Sequence, residues 1–275
     1  MLLLHGFPEF WYSWRHQIRE FQQDFRVVAL DQRGYGQSDR PEGVENYVMS
    51  RLMNDVRRVI EKLGYSSCVL VGHDFGGLVA WAFGRKYPTY VDKLVVMNAP
   101  PRPVFTKALE EIKEQKAMSW YIFFLQIQFM QLPERFCRHC DYSFIDRMFG
   151  NLDTPCAVNI VSKKLEAAAT QADIEAYKYV FSEFGISPPI HWYRALFTER
   201  LSYDMGYTMP VLLLWGMKDL ALHHRIPDMV EEEEQRWNTS NISVRRIPDA
   251  GHMVQMDRPE EVNRHVREWL GALPS

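Results

Sequence analysis

An aspartate stands between two glycines in Gly72-His73-Asp74-Phe75-Gly76. This is the spacing of a nucleophile elbow, a sharp strand-to-helix turn that exposes one side chain above a sheet. A carboxylate is a poor acyl-transfer nucleophile, but it attacks an sp3 carbon that has a polarised leaving group and forms an ester. Because its ordinary pKa is near ~4, it is ionised at neutral pH without an activating base. The motif predicts nucleophilic attack on carbon by Asp74.

Two residues further along the chain could complete a catalytic triad. Asp219 follows a predicted strand in Trp215-Gly216-Met217-Lys218-Asp219, and His252 follows the last predicted strand. This is the order of nucleophile, acid and histidine that the elbow requires. His252 would activate water against the ester, and Asp219 would orient the imidazole. Asp249 is nearer to His252 in sequence, but its Pro/Ala-flanked turn makes it the weaker candidate acid.

A loop near the start of the chain could complete an oxyanion hole. His5-Gly6-Phe7-Pro8 follows a short apolar strand, and such a loop supplies one backbone N–H in this type of site. The residue after the nucleophile supplies the other. The predicted donors are therefore the amides of Phe7 and Phe75, and Pro8 is a candidate for a cis peptide bond.

Strand patterns alternate with helical ones on either side of these motifs. Apolar positions three and four residues apart predict helices over Val48–Leu63, Gly77–Tyr87 and Pro259–Leu270. The apolar runs read as strands buried on both faces, hence as a parallel sheet, with a more polar last strand at an edge. These strands are Leu2–Leu4, Phe25–Leu30, Cys68–Gly72, Leu94–Met97, Val211–Trp215 and Ile242–Ile247.

The alternation predicts an α/β doubly wound fold with a helical insertion. Between about Pro101 and Thr208 the sequence has aromatic residues, Met and helix formers but no Val/Leu strand. We therefore expect residues 1–100 and 209–275 to form the core and residues 101–208 to form a lid. An insertion after a strand's carboxyl end overhangs the usual ligand crevice of such a sheet.

Composition excludes several classes of protein. The chain has 275 residues and a net charge of −3, so it has no basic excess for nucleic acid. The most apolar stretch, Trp120–Met130, is too short for a membrane span and contains Gln126 and Gln128. The lone Cys137-Arg138-His139-Cys140 motif has no second ligand pair, so we predict no metal and no cofactor.

The motifs described above, together with their order along the chain, resemble those of the α/β-hydrolase-fold epoxide hydrolase family. The matching blocks cover nearly the whole chain, and the stretch Leu2–Phe21 most resembles the animal epoxide hydrolase 4 branch. The resemblance implies a mostly parallel sheet flanked by helices and an apolar epoxide and water as substrates. The blocks are His5–Glu9, Asp31–Gly36, Gly72–Gly77, Trp215–Asp219 and Gly251-His252.

The resemblance also implies two lid tyrosines that hydrogen-bond the epoxide oxygen and act as acids. It selects Tyr121, in Trp120-Tyr121-Ile122, and Tyr193, in His191-Trp192-Tyr193. A phenol suits this task because its pKa near ~10 keeps it protonated at neutral pH. Many relatives have Trp at the position of Phe75, a departure that leaves the backbone donor in place and changes the pocket. The predicted substrate-binding residues are Phe7, Phe75, Tyr121 and Tyr193.

Two other functions compete with epoxide hydrolysis. A haloalkane or haloacid dehalogenase would share the Asp74 nucleophile, but Phe75 offers no side-chain donor to a departing halide. A non-catalytic relative of this fold would act as a binding protein, and such relatives commonly lack one of the three triad residues. The absence of Ser from the elbow disfavours a serine esterase.

The abrupt start of the chain generates one further expectation. The oxyanion loop of this fold follows its third strand, so Met1–Leu4 is predicted to be that strand, with the first two strands missing. The resemblance implies that full-length animal relatives carry these strands, and in the epoxide hydrolase 4 branch an N-terminal membrane anchor. We expect a cytoplasmic location and membrane contact only through such an anchor.

Overall fold

The computed structural model describes residues 1–149, 169–199, 206–237 and 239–272. Within these ranges the strands form one parallel sheet, as the continuous apolar runs predict. The strands are β1 (Leu2–Leu4), β2 (Val28–Leu30), β3 (Cys68–His73), β4 (Val91–Met97), β5 (Val211–Gly216) and β6 (Ile242–Ile247). Their order across the sheet is β2-β1-β3-β4-β5-β6, so β6 lies at an edge as expected.

Helices follow or separate most of these strands. No helix in the described ranges is long and apolar enough to cross a membrane. The helices are α1 (Arg15–Phe21), α2 (Met49–Lys62), α3 (Asp74–Lys86), α4 (Arg102–Glu111), α5 (Lys113–Met118), α6 (Trp120–Leu125), α7 (Leu132–Met148), α8 (Gln171–Phe184), α9 (Ser187–Ala195), α10 (Ile226–Arg236), α11 (Val254–Asp257) and α12 (Pro259–Ala272).

The two faces of the sheet are buried in separate apolar cores. Alternate strand residues point to opposite faces, so Leu2 and Leu4 join one core and Leu3 joins the other. Helices α2 and α3 contribute to the first core, and α1 and α12 contribute to the second. This double burial explains why the strands read as unbroken Val/Leu runs in the sequence.

The sequence prediction differs from the structure by three residues at the start of three elements. Strand β4 begins at Val91 instead of Leu94. Strand β2 begins at Val28 instead of Phe25, because the Phe25 amide donates to the Phe21 carbonyl oxygen (2.9 Å) and extends the preceding turn. Helix α3 begins at Asp74 instead of Gly77, so the residue at the centre of the elbow is also the first residue of the helix.

Helices α4 to α9 lie between β4 and β5 and occupy the predicted insertion. The described part of this insertion contains no strand, and its residues 150–168 and 200–205 lie outside the described ranges. Helix α7 is interrupted where Cys140, Asp141 and Tyr142 have positive φ angles. Helix α8 begins with a capping box formed by Thr170 and Asp173. The boundary of the lid at residues 101 and 208 stays a prediction.

Backbone contacts at the elbow require glycine. Gly76 lies in the first turn of α3 and approaches the end of β1 so closely that an added Cβ would overlap the Leu4 carbonyl oxygen. The neighbouring atoms are backbone and cannot rotate away. The nearness of α3 to β1 thus sets the position of Asp74 above the sheet.

We expect Gly76→Ala to lower the free energy of unfolding by about 3 kcal/mol, because the added methyl group forces α3 away from β1. Gly271→Ala is the matched control, since nothing lies within 4 Å of a Cβ at that exposed helical position. Urea denaturation of the two variants and the wild type measures the effect. Equal unfolding midpoints for Gly76→Ala and the wild type would contradict this account.

Candidate active site

Asp74 occupies a strained position at the junction of β3 and α3. Its φ angle is 49°, in the left-handed region that residues other than glycine rarely adopt. The Phe7 amide donates a hydrogen bond to Asp74 Oδ1 at 2.9 Å. Gly6 lies against the same carboxylate, and an added Cβ there would overlap the Asp74 side chain. The loop after β1 and the elbow after β3 therefore hold the carboxylate between them.

His252 bridges the two aspartates that the sequence selected. Its Nδ1 lies 2.8 Å from Asp219 Oδ2, and its Nε2 lies 3.5 Å from Asp74 Oδ2. Asp249, the weaker candidate acid, is exposed and instead pairs with Lys218 Nζ at 2.5 Å. The sequence order therefore identified the acid that contacts the imidazole.

Asp219 is fixed by donors that surround its carboxylate. The amides of Ala221 and Leu222 donate to Oδ1 at 2.7 and 2.9 Å. The Asn98 amide group donates to Oδ2 at 2.6 Å, and Asn98 Oδ1 accepts from the Gly216 amide at 2.9 Å. Sequence reasoning missed Asn98, although a polar residue directly after a buried strand at the ligand-binding edge was a usable signal.

Burial and neighbouring charges shift the pKa values of Asp74, Asp219 and His252 in opposite directions. Burial raises the pKa of Asp74 and of Asp219, but His252 outweighs it and holds both pKa values below their ordinary range. Burial lowers the pKa of His252, but the two carboxylates raise it well above its ordinary value. The resting site therefore contains two carboxylates and one imidazolium.

A second histidine–carboxylate pair lies next to the site and is buried. Glu9 Oε2 lies 2.6 Å from His73 Nδ1 and accepts from the Gly6 amide at 2.6 Å. His73 Nε2 lies 2.8 Å from the His252 carbonyl oxygen, so an acceptor faces each ring nitrogen of His73. Burial raises the pKa of Glu9, but His73 outweighs it and the net pKa is lowered. The pair connects the loops of Gly6 and His252.

Gln255 adds a third contact to this connection by donating to Glu9 Oε1 at 2.8 Å. Sequence reasoning missed a structural role for Glu9 and His73, although both lie inside the blocks that carry the family resemblance. Their position next to Phe7 and Asp74 in sequence was the available signal.

The two predicted oxyanion donors belong to two different segments next to Asp74. Phe7 belongs to the loop after β1, where the Phe7–Pro8 peptide bond is cis as the sequence suggested. Phe75 lies in the first turn of α3, where amides have no partner within the helix. Both aromatic rings meet Tyr193 edge to face, with centroid distances of 5.3 Å for Phe7 and 4.7 Å for Phe75.

One cavity of about 110 Å³ contains Asp74, His252 and both predicted lid tyrosines. Tyr121 comes from α6 and Tyr193 from α9, and their rings lie 6.1 Å apart. Burial and the Asp74 charge raise the pKa of both phenols, which keeps them protonated. Most of the other lining side chains are apolar or aromatic: Phe7, Met118, Trp120, Phe124, Leu125, Phe144, Met148, Leu220, Ala221 and Met253.

The described residues contain no group of three or more His, Cys, Asp or Glu side chains that could hold a metal ion. Cys137 of the CxxC motif is a free cysteine. Cys137 is buried and lines the cavity, and burial raises the pKa of its thiol to about 12.

Residues 1–259 match the family model described as alpha/beta hydrolase fold. The chain is 40% identical to epoxide hydrolase 1 of Caenorhabditis elegans over 274 residues, which are 98% of this chain and 64% of that protein. It is also 40% identical to human epoxide hydrolase 4, over 98% of this chain and 72% of that protein. The chain thus spans about two thirds of the length of these curated relatives.

A solved structure of Bacillus megaterium epoxide hydrolase in complex with an inhibitor aligns with a TM-score of 0.85 and 34% identity. The alignment covers 98% of this chain and 93% of the bacterial one. The common fold, the match over nearly the whole chain and the level of identity agree with one another. The chain belongs to the epoxide hydrolase family of the α/β-hydrolase fold.

Proposed function

We propose that this chain is an epoxide hydrolase that converts an apolar epoxide to a vicinal diol through an ester on Asp74. One observation carries the proposal: a carboxylate in the nucleophile position contacts His252 and shares a single cavity with two phenols, the buried Tyr193 and the partly buried Tyr121. The apolar lining of that cavity supports a hydrophobic substrate, such as a lipid epoxide or an aryl-substituted one.

The first half of the reaction joins the substrate to the enzyme. A carboxylate oxygen of Asp74 attacks one ring carbon, and the bond from that carbon to the epoxide oxygen breaks. Tyr121 and Tyr193 hydrogen-bond the epoxide oxygen, and one of them gives its proton to the developing alkoxide. The low pKa of Asp74 keeps the nucleophile ionised, and the raised pKa of each phenol keeps the acid protonated.

Ester formation changes the charge around His252. The resting imidazolium contacts two carboxylates, but an esterified Asp74 is neutral. The pKa of His252 then falls because one of its two stabilising charges is gone. The proton that His252 releases balances the one that the tyrosine gave to the alkoxide, so the phenol is restored and the imidazole becomes a base.

The second half of the reaction hydrolyses the ester. His252 takes a proton from water, the hydroxide oxygen attacks the ester carbonyl carbon, and Asp219 stabilises the imidazolium that forms. The amides of Phe7 and Phe75 hold the tetrahedral oxyanion. The intermediate collapses to release the diol and the Asp74 carboxylate, which returns the site to two anions and one cation.

A dehalogenase with the same nucleophile has less support. Such an enzyme must stabilise a departing halide next to the nucleophile, and the Phe75 ring has no donor for it. The two phenols in the cavity instead match an oxygen leaving group that needs a proton. Chloride release from haloalkanes, measured beside diol formation from epoxides, separates the two activities.

We expect Asp74→Asn to abolish diol formation, because the amide is a far weaker nucleophile than the carboxylate. In 18O-water the wild type should incorporate label into the Asp74 carboxylate over repeated turnovers, and His252→Gln should accumulate a protein adduct with the mass of the epoxide. Mass spectrometry of intact and digested protein measures both effects. The exposed Asp249→Asn is the matched control, and undiminished diol formation by Asp74→Asn would rule out the ester mechanism.

We expect Tyr121→Phe and Tyr193→Phe each to slow ester formation by about 100-fold, because each removes one donor to the epoxide oxygen. The double variant should be slower than either single variant. Rapid-quench measurement of adduct formation in single turnovers tests this step apart from hydrolysis. Tyr179→Phe, on an exposed tyrosine of α8, is the control, and unchanged rates in both cavity variants would contradict the assignment.

We expect His252 to make the folded protein less stable as pH rises. Because its folded pKa is raised, its contribution to stability is complete below about pH 6.5 and disappears as pH rises through that raised pKa. Across this window the free energy of unfolding should fall by up to about 1.4 kcal/mol per pH unit. Urea denaturation of the wild type and His252→Gln over a pH series measures the difference.

The exposed His224→Gln is the control for this experiment and should keep the wild-type dependence on pH. If the free energy of unfolding of His252→Gln falls with pH as steeply as that of the wild type above about pH 6.5, the two carboxylates do not stabilise the imidazolium.

A further inference from the structure

The described part of the lid carries a cluster of exposed apolar side chains that the proposed reaction does not use. Phe129 and Met130 are 74% and 65% exposed, in a turn between α6 and α7 where Met130 has a left-handed φ of 52°. No Asp, Glu, Lys or Arg occurs between Lys116 and Glu134. We name this surface the lid-tip patch, and its exposed members are Trp120, Phe123, Ile127, Phe129, Met130 and Leu132.

An apolar cluster of this kind is uncommon on a free surface. Single exposed hydrophobic residues are ordinary, but a contiguous run of large ones marks a surface that another apolar phase or molecule covers. Trp120 belongs to the lid-tip patch and also lines the cavity that contains Asp74. The patch therefore continues to the wall of the active site.

Basic residues flank the lid-tip patch on both sides in sequence. Lys113 and Lys116 are exposed on α5, and Arg135 and Arg138 are exposed in the first turns of α7. The acids interspersed with them are the exposed Glu114 and the buried Glu134, which pairs with Arg194 at 2.8 Å. Within residues 113–138 the exposed cations therefore outnumber the exposed acids by four to one, and the exposed Glu110, Glu111 and Asp141 lie just outside this segment.

We propose that the lid-tip patch is a docking surface for anionic lipid membranes. The aromatic and aliphatic side chains enter the interface between headgroups and acyl chains, and the four flanking cations contact anionic headgroups. This contact lies in the lid and differs from an N-terminal anchor, the only membrane contact that the sequence suggested. An apolar molecule dissolved in the membrane then reaches the cavity past Trp120.

Charge complementarity favours a lipid surface over a second copy of the chain. Two identical patches placed face to face would bring the two sets of four cations together, which opposes association. A membrane that contains phosphatidylserine instead presents negative charge to all four cations at once. Docking does not depend on which reaction Asp74 performs, so its test is separate from that of the proposed function.

The test measures binding of the full chain to extruded vesicles by co-sedimentation. We expect binding to vesicles of phosphatidylcholine with phosphatidylserine to be at least about tenfold tighter than to phosphatidylcholine alone, and to weaken as salt is added. Arg135→Gln/Arg138→Gln should weaken binding to the anionic vesicles roughly 25-fold, at about fivefold for each cation. Arg51→Gln/Arg58→Gln, on exposed positions of α2, is the matched control.

Phe129→Ser/Met130→Ser should weaken binding to both kinds of vesicle about tenfold or more, because it removes inserted apolar surface. Tyr65→Ser, an exposed aromatic residue just before β3, is its control. Neither Phe129 nor Met130 lines the cavity, so both variants should keep the wild-type rate on a water-soluble epoxide.

Three results would overturn the docking proposal. They are no binding of the wild type to anionic vesicles, equal binding by the two patch variants, and a dimer in analytical ultracentrifugation that Phe129→Ser/Met130→Ser dissociates while vesicle binding is absent. Loss of epoxide hydrolysis with retained vesicle binding would refute the proposed function alone.

Discussion

Two carboxylates that share one imidazole, the buried Asp219 and the partly buried Asp74, constrain the rest of this molecule. Asp74 and Asp219 repel each other, and the charge of His252 between them offsets much of this repulsion and of the cost of removing the carboxylates from water. The surrounding donors serve the same purpose: Asn98 and two loop amides bind Asp219, and the Phe7 amide binds Asp74. The segments that follow β1, β4 and β5 thus each contribute a donor to one of the two carboxylates.

The loops of the site come from distant parts of the chain, and a buried network of hydrogen bonds fixes their relative positions. Glu9 accepts from Gly6, His73 and Gln255, and His73 also contacts the carbonyl oxygen of His252. The oxyanion loop, the elbow and the histidine loop therefore share one carboxylate. Because buried polar groups are costly when unpaired, movement of any one loop would leave partners in the other two unsatisfied.

Much of the fold was readable from sequence because the sheet is buried on both faces. Apolar runs located the strands from β1 to β5, and the more polar pattern of Ile242–Ile247 located the edge strand β6. The strand–helix alternation predicted their parallel arrangement. The elbow was readable because close backbone approach demands glycine at Gly76. The start of α3 was misplaced by three residues, since nothing local in the sequence marks a helix that begins on a left-handed aspartate.

The sequence predicted the site residues whose chemistry allows few alternative residue types. It did not predict residues whose role depends only on their position in the fold. Asp74, Asp219 and His252 have few chemical alternatives at their places in the chain order, and their side chains meet in the structure. The choice of Tyr121 and Tyr193 among the lid tyrosines needed the family resemblance, because helical spacing does not distinguish a core tyrosine from a donor. Asn98 was missed because its partner, Asp219, lies more than a hundred residues away.

The position of the tyrosines on the inserted helices has a consequence for how the reaction can fail. The core alone carries the groups assigned to ester hydrolysis, whereas the assigned proton donors for ring opening lie on α6 and α9. A displaced lid would leave the residues for ester hydrolysis in place but would remove the proton donors that ester formation needs. Disturbance of the lid would thus leave Asp74 as the free carboxylate, and the covalent ester would not accumulate.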